Sequence, residues 1–289
     1  MSKYRIGCVG TGFVGSSLTA GFEKLFGNKV EIREYDKFKN TESLESVCNN
    51  SDFLFVAVPT PMLESGACDI SIVESVCEEI NLIVKKSKIL IIKSTIVPGT
   101  TQRLQDKYPK HTFCFVPEFL TEKRCFEDFL EQDRIILGLT SNKQQVFRVE
   151  KLFQDFASLQ KVPAKIVKCT SQEAEMLKYV ANCFLATKLS FLNEIYQICE
   201  ATKINYDSVV ELLKLDERIG KSHMRVPNNG DFGFGGACLS KDLNALISFA
   251  KQNNIDSFVL ETVWTKNLMV RKNYDWRKLA QVNGKYIKK

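Results

Sequence analysis

Hydrophobic and polar positions along the chain fall into two regimes. Through about residue 168, short and nearly unbroken apolar runs alternate with amphipathic stretches. The runs "YRIGCV", "KVEIRE", "FLFVAV", "KILIIK", "TFCFV" and "RIILGL" have strand length. Their continuous hydrophobicity is that of strands buried on both faces, as in a parallel sheet. Between them, "DISIVESVCEEINLIVKK" has helical spacing, with Asp69 or Ser71 placed to cap its start. Strand alternating with helix predicts a doubly wound α/β domain over residues 1–168. The second regime begins after Thr170. "SQEAEMLKYVANCFLATKLSFLNEIYQICE" contains no Gly or Pro and is apolar almost all round. It predicts one long helix buried on several sides, by a domain core or by a second subunit. Further helical patterns, "YDSVVELLKL", "LNALISFAKQ" and "SFVLETVWTKNLMVRK", complete a helical domain over 169–289. The closing "VNGKYIKK" is polar and basic and is expected to fray.

Composition narrows the classes of function. Hydrophobic residues make up 44% and charged residues 26%, the profile of a soluble globular protein. A net charge of +6 without long Lys/Arg runs argues against nucleic acid and suits an anionic small molecule. The ten cysteines form no C-x-x-C, and only His111 and His223 supply imidazole, so no metal site is expected. No apolar run reaches the roughly 18 residues of a bilayer span. The N-terminus reads as a strand entering a glycine loop rather than as a signal peptide. A reducing, cytoplasmic setting with free thiols is the expectation.

That loop is the first chemical signal. "GCVGTGFVG" places Gly10-x-Gly12-x-x-Gly15, with Phe13 and Val14 between, directly after a strand and before a helical stretch. Such spacing lets backbone approach a pyrophosphate at a helix N-terminus. The next predicted strand ends at "REYD", where Asp36 is placed to hold a ribose 2′-hydroxyl. The first domain is thus expected to be Rossmann-like, with NAD favoured over NADP, although Arg33 stands nearby.

The second signal is "GFGGACLSKD", in which Gly233, Gly235 and Gly236 run into Cys238 and then Lys241 and Asp242. A cysteine beside a cation loses its proton more readily. A free cysteine is more often a small core residue, and the glycine context sets this one apart from the other nine. Lys178 and Asn182 lie one turn apart on the otherwise apolar helix and share a face. A lysine there costs free energy unless it has a partner or a task; a solvated notch is the plainer alternative.

Together with "VPTP", "KSTIVPGTT", "PEFLTE", "AEMLKYVANCFLATKLSFLNE" and "DERIGKSHMRVPNNGDFGFGGACLSKD", these stretches resemble the UDP-glucose/GDP-mannose dehydrogenase family in order and over most of the chain. Members oxidise a sugar-nucleotide C6 alcohol twice, to a carboxylate, with two NAD. The "GD-GFGG" form is closer to the UDP-glucose branch, which implies UDP-glucose as substrate and UDP-glucuronate as product. The resemblance implies Cys238 as nucleophile, Lys178 and Asn182 as oxyanion partners, Glu122 as general base, Asp242 near the catalytic water and Thr95 at the active site. It puts Thr60, Thr95 and Lys241 with the Gly10–Gly15 loop and Asp36 at NAD. Glu118, Glu122, Lys178, Asn182, Arg218, His223 and Gly235 fall to the substrate, and the long helix to a homodimer. Val116 stands where Asn is frequent and Ser240 where Pro is usual. The family's third, C-terminal domain is expected to be missing, the chain ending about a hundred residues short of one. A two-electron β-hydroxyacid dehydrogenase, or a non-catalytic protein binding NAD or a nucleotide sugar, are the alternatives; neither needs the thiol.

Overall fold

A computed structural model describes residues 3–142, 144–228 and 230–278, without the side chains of Glu122 and Lys278. The terminal "VNGKYIKK" lies outside the described residues. In chain order the elements are β1 (Tyr4–Val9), α1 (Phe13–Phe26), β2 (Val30–Tyr35), α2 (Leu44–Asn50), β3 (Phe53–Val56), α3 (Ser71–Ile83), β4 (Ile89–Ile92), α4 (Thr100–Lys107) and β5 (Thr112–Phe115). There follow α5 (Cys125–Leu130), β6 (Arg134–Leu139), α6 (Val146–Ser158), β7 (Lys165–Thr170), α7 (Ser171–Thr202), α8 (Tyr206–Leu213), α9 (Ala237–Gln252) and α10 (Phe258–Val270).

The strands form one seven-stranded sheet in the order β2-β1-β3-β4-β5-β6-β7. The first five are parallel, which confirms the doubly wound pattern. Two features depart from the sequence expectation. Strand β6 runs antiparallel to β5, and β7, parallel to β6, was not foreseen. Its side chains are at most half-buried, so "KIVKCT" lacks the unbroken apolar run of a strand covered on both faces. In helix α3 the N-cap position falls on Ile70, between the two residues expected to cap it.

Side-chain alternation explains the two cores. On β3, Phe53 and Phe55 face one side with Ile89 and Ile91 of β4, under α1 and α6. Leu54 and Val56 face the other with Leu90 and Ile92, under α2, α3 and α4. Phe22 of α1 lies 5.1 Å from Phe156 and 5.5 Å from Phe55 between ring centroids, within the range of favourable aromatic pairing.

The chain divides into two compact units. One comprises residues up to Thr60 together with Ile70–Lys178; the other comprises Pro61–Asp69 and the chain from Tyr179. In the second, α9 sets Leu243 and Ile247 against Cys183, Ala186 and Leu189 of α7 and Val263 of α10. Tyr206 and Val210 of α8 pack on Leu192 and Cys199, and the Tyr206 hydroxyl donates to the Met224 carbonyl at 2.9 Å.

Helix α7 matches the long helix expected from sequence. A capping box opens it: the Glu173 N–H donates to Thr170 Oγ1 at 3.2 Å, and Glu173 Oε2 accepts from the Thr170 N–H at 2.8 Å. Its apolar surface is not all covered by the described residues. Leu177, Phe184, Phe191 and Ile198 recur every seven residues and stay open, Phe184 being 64% and Phe191 60% exposed. Among the described residues no helix is long and apolar enough to cross a membrane.

Candidate active site

The crossovers from β1 run to β2 on one side and, through β2, back to β3 on the other. A ligand crevice opens at such a reversal, at the carboxyl end of β1. The loop Gly10–Gly15 lies there. Gly15 packs so closely on the preceding turn that a Cβ would come within 2.0 Å of the Gly10 carbonyl oxygen, whereas nothing lies within 4 Å of a Cβ at Gly12. The cradle is therefore tight beneath and open above, which fits a pyrophosphate laid on backbone N–H groups at the start of α1, which Phe13 and Val14 begin.

Asp36 follows the second strand, beside this loop. Its Oδ2 accepts from the Thr11 N–H at 2.9 Å and the Thr11 hydroxyl at 3.0 Å, and its Oδ1 from the Phe38 N–H at 3.0 Å. Burial pushes this carboxyl up, but the Phe38 and Thr11 donors outweigh it and hold it below its ordinary value. A carboxylate has lone pairs left for ribose hydroxyls. Arg33, the residue that complicated the cofactor reading, is gripped by Glu31 at 2.7 Å and Glu42 at 2.9 Å. A guanidinium tied between two carboxylates is poorly disposed to receive a 2′-phosphate, so the residues present fit NAD.

The same unit holds a buried group of charges. Lys178, 5% exposed, donates to the Glu118 carbonyl at 2.7 Å and to its carboxylate at 3.1 Å. The other carboxylate oxygen accepts from the Leu120 N–H at 2.8 Å. Burial would raise the Glu118 carboxyl, but Lys178, that N–H and Lys93 hold it below its ordinary value. Lys93 was not singled out from sequence, where it merely ends "KILIIK". It is 7% exposed and lies just beyond β4. Thr95, half-buried, follows on the same loop, and Thr60 is buried in the loop after β3. The side chain of Glu122 lies outside the described residues.

In the second unit, Cys238 is the second residue of α9, and among the described cysteines it is the exposed one. Burial pushes the thiols of Cys48, Cys77, Cys114 and Cys183 up to about 12, which leaves them inert near neutrality. Lys241, three residues further along α9, is buried and paired with Asp242 at 2.5 Å. Burial works against its charge, yet Asp242 prevails and holds it above its ordinary value. The second Asp242 oxygen accepts from the Asn182 amide at 2.5 Å. Lys241, Asp242 and Asn182 thus form one buried network behind the Cys238 end of α9.

The glycines before Cys238 have structural reasons of their own. Gly236 takes φ +75° at the N-cap of α9, a conformation few other residues adopt. At Gly235 a Cβ would strike Arg271 Nη2 at 2.0 Å, and Arg271 there pairs with Asp275 at 3.0 Å. Arg218 is largely exposed, its fork on the neighbouring Asp216 carboxylate. His223 sits at φ +58°, and burial, then Lys188, hold its imidazole below the ordinary value. No group of His, Cys, Asp and Glu that could hold a metal occurs among the described residues.

Comparison with known proteins bears on the fold and the cofactor. Residues 22–157 match the NAD binding domain of the UDP-glucose/GDP-mannose dehydrogenase family, and 172–268 match its central domain. The chain is 34% identical over 242 residues to UDP-glucose 6-dehydrogenase of Rickettsia bellii, covering 82% of this chain and 54% of that protein. It is 31% identical over 300 residues to UDP-glucose 6-dehydrogenase TuaD of Bacillus subtilis, covering 91% and 62%. The chain therefore spans only about half to three-fifths of the length of these relatives. A UDP-glucose dehydrogenase structure from Pyrobaculum islandicum superposes with a TM-score of 0.80 at 26% identity, covering 92% of this chain and 68% of the other. With the glycine cradle, the acid after β2 and both family domains matched in order, the chain belongs to the UDP-glucose/GDP-mannose dehydrogenase family.

Proposed function

We propose that the chain performs an NAD-dependent, four-electron oxidation of the C6 alcohol of UDP-glucose, giving UDP-glucuronate. The observation that carries this reading is Cys238, an exposed thiol at the start of α9 with a buried Lys–Asp–Asn network behind it. NAD, when bound, accepts one hydride in each of two oxidations. The first converts the alcohol to an aldehyde and releases one proton. An aldehyde carbon cannot give up a second hydride until a nucleophile makes it tetrahedral. The Cys238 thiolate adds to it, forming a C–S bond and a thiohemiacetal. Loss of the second hydride leaves a thioester, and water then cleaves the C–S bond, returning the thiol and a carboxylate.

The named residues take roles in that sequence. Lys178 and Asn182 supply a cation and an amide suited to a developing alkoxide or oxyanion. Glu122 serves as the base that activates the hydrolytic water, with Asp242 near that water. Thr60, Thr95 and Lys241 join the cofactor loop, while Glu118, Arg218, His223 and Gly235 contribute to the nucleotide-sugar side. Arg suits the diphosphate because its planar fork matches phosphate oxygens. A mechanism that needs an exposed reduced thiol fits a reducing compartment such as the cytoplasm. The open heptad stripe on α7 is the surface on which we place a second copy of the chain.

The experiment is product analysis with a panel of UDP- and GDP-sugars, wild type against Cys238→Ser. Acid formed from UDP-glucose by the wild type, and lost in the variant, supports the reading. Undiminished acid from the variant removes Cys238 from the reaction.

A further inference from the structure

Buried charge is costly unless it is paired, and Lys93 is a buried charge with little in return. Among the described residues, its ammonium makes one hydrogen bond to protein, from Nζ to the Pro117 carbonyl at 3.3 Å. Its backbone is fixed, since its N–H donates to the Val56 carbonyl at 2.8 Å. Ile92 pairs with Phe115 in the parallel ladder, so Lys93 and Pro117 both emerge just beyond the paired ends of β4 and β5. Glu118, which follows Pro117, is held by Lys178. The charged and titratable groups that bear on Lys93 are Glu118, Lys178 and Cys114. Two ammonium groups therefore bear on one carboxylate, and Lys178 is the one that hydrogen-bonds to it. A methionine of similar length would be buried there without a desolvation cost. The lysine thus calls for a reason beyond packing.

We propose that Lys93 is a positioning residue: it holds the Pro117–Glu118 turn through the Pro117 carbonyl, and its charge tunes the Glu118–Lys178 pair. This rests on the reading that Lys178 acts on the reacting oxygen. Burial, only partly offset by Glu118, lowers the Lys93 ammonium to about 8, so it sheds its proton within the working range of pH. Its charge then stops supporting the ionised form of Glu118 and stops repelling the Lys178 ammonium.

The test compares Lys93→Met and Lys93→Arg with the wild type. Carbon-13 NMR of the Glu118 carboxyl, followed downward from neutral pH, reads the pair without any assay of activity. Removing the neighbouring charge in Lys93→Met is expected to start protonation of Glu118 about one pH unit higher. In turnover, kcat of Lys93→Met is expected to fall about tenfold, the size of a lost positioning contact, while KM for the nucleotide sugar stays near wild type. The wild-type profile should bend near pH 8, and that bend should vanish both in Lys93→Met, which carries no charge, and in Lys93→Arg, whose guanidinium stays charged across this range and keeps turnover at the level the wild type shows below the bend. If the methionine variant does not fold, Lys93→Gln replaces it. An unmoved Glu118 titration would overturn the proposal whatever the activity. If the wild type turns over no nucleotide sugar, the functional reading fails and the titration alone decides the part of Lys93.

Discussion

Asp242 holds two partners at once, the Lys241 ammonium on one oxygen and the Asn182 amide on the other, with 1% of its surface exposed. Asp242→Asn would leave the Lys241 charge buried without its counter-ion. Breaking such a pair costs about 3–5 kcal/mol, and the expected result is a clear drop in melting temperature by calorimetry. Lys93 is expected to behave oppositely. Its folded-state value of about 8 lies below the ordinary 10.5, so between those pH values the unfolded chain binds more protons and stability rises with pH. Below pH 8 the penalty is complete, about 3 kcal/mol for a shift of that size. Lys93→Met should therefore melt above the wild type at neutral pH, the difference shrinking as pH approaches 10.5. A variant that melts lower at neutral pH would contradict this. Neither lysine could be ranked from sequence. Lys241 stood out only beside Cys238, and Lys93 was one more lysine flanking a strand, because spacing does not report how deeply a side chain is covered. Gly235 shows the reverse: it drew attention as a substrate contact, and the structure gives it a packing reason against Arg271.

At the scale of elements, β1 to β6 and α7 could be read from apolar runs, since strands covered on both faces and a long helix leave plain patterns. Strand β7 could not, because its half-covered side chains interrupt the run. The start of α7 was legible in principle as "TSQE", a capping box at Thr170 and Glu173. Invisible in sequence was Glu175, wholly buried on α7. Its carboxylate accepts from the Gly99 N–H, the Thr101 N–H at 2.8 Å and the Thr101 hydroxyl, and so caps α4 from 74 residues away. Those bonds to a charged acceptor are expected to make Glu175→Ala cost on the order of 3 kcal/mol, measured by urea denaturation; a loss under about 1 kcal/mol would deny the cap its role. The open stripe on α7 has its own test. Phe184→Glu with Phe191→Glu should halve the mass seen by light scattering, if a second copy covers that face. A wild-type monomer would rule the dimer out.

Across the whole molecule, a dinucleotide-binding unit and a helical unit each match their part of one enzyme family. The Pro61–Asp69 excursion belongs to the second unit although it is flanked on both sides by the first, and chain order alone gives no sign of that. Cofactor choice belongs to this scale too. With Arg33 tied to Glu31 and Glu42, NAD is expected to bind at least about tenfold more tightly than NADP, the worth of roughly 1.4 kcal/mol, by calorimetric titration. The central claim is that one thiol carries the sugar through its second oxidation, and the most direct measurement is the NADH released per molecule of UDP-glucose consumed. The account expects two from the wild type, with UDP-glucuronate as the product. A ratio of one, with aldehyde released, would contradict it.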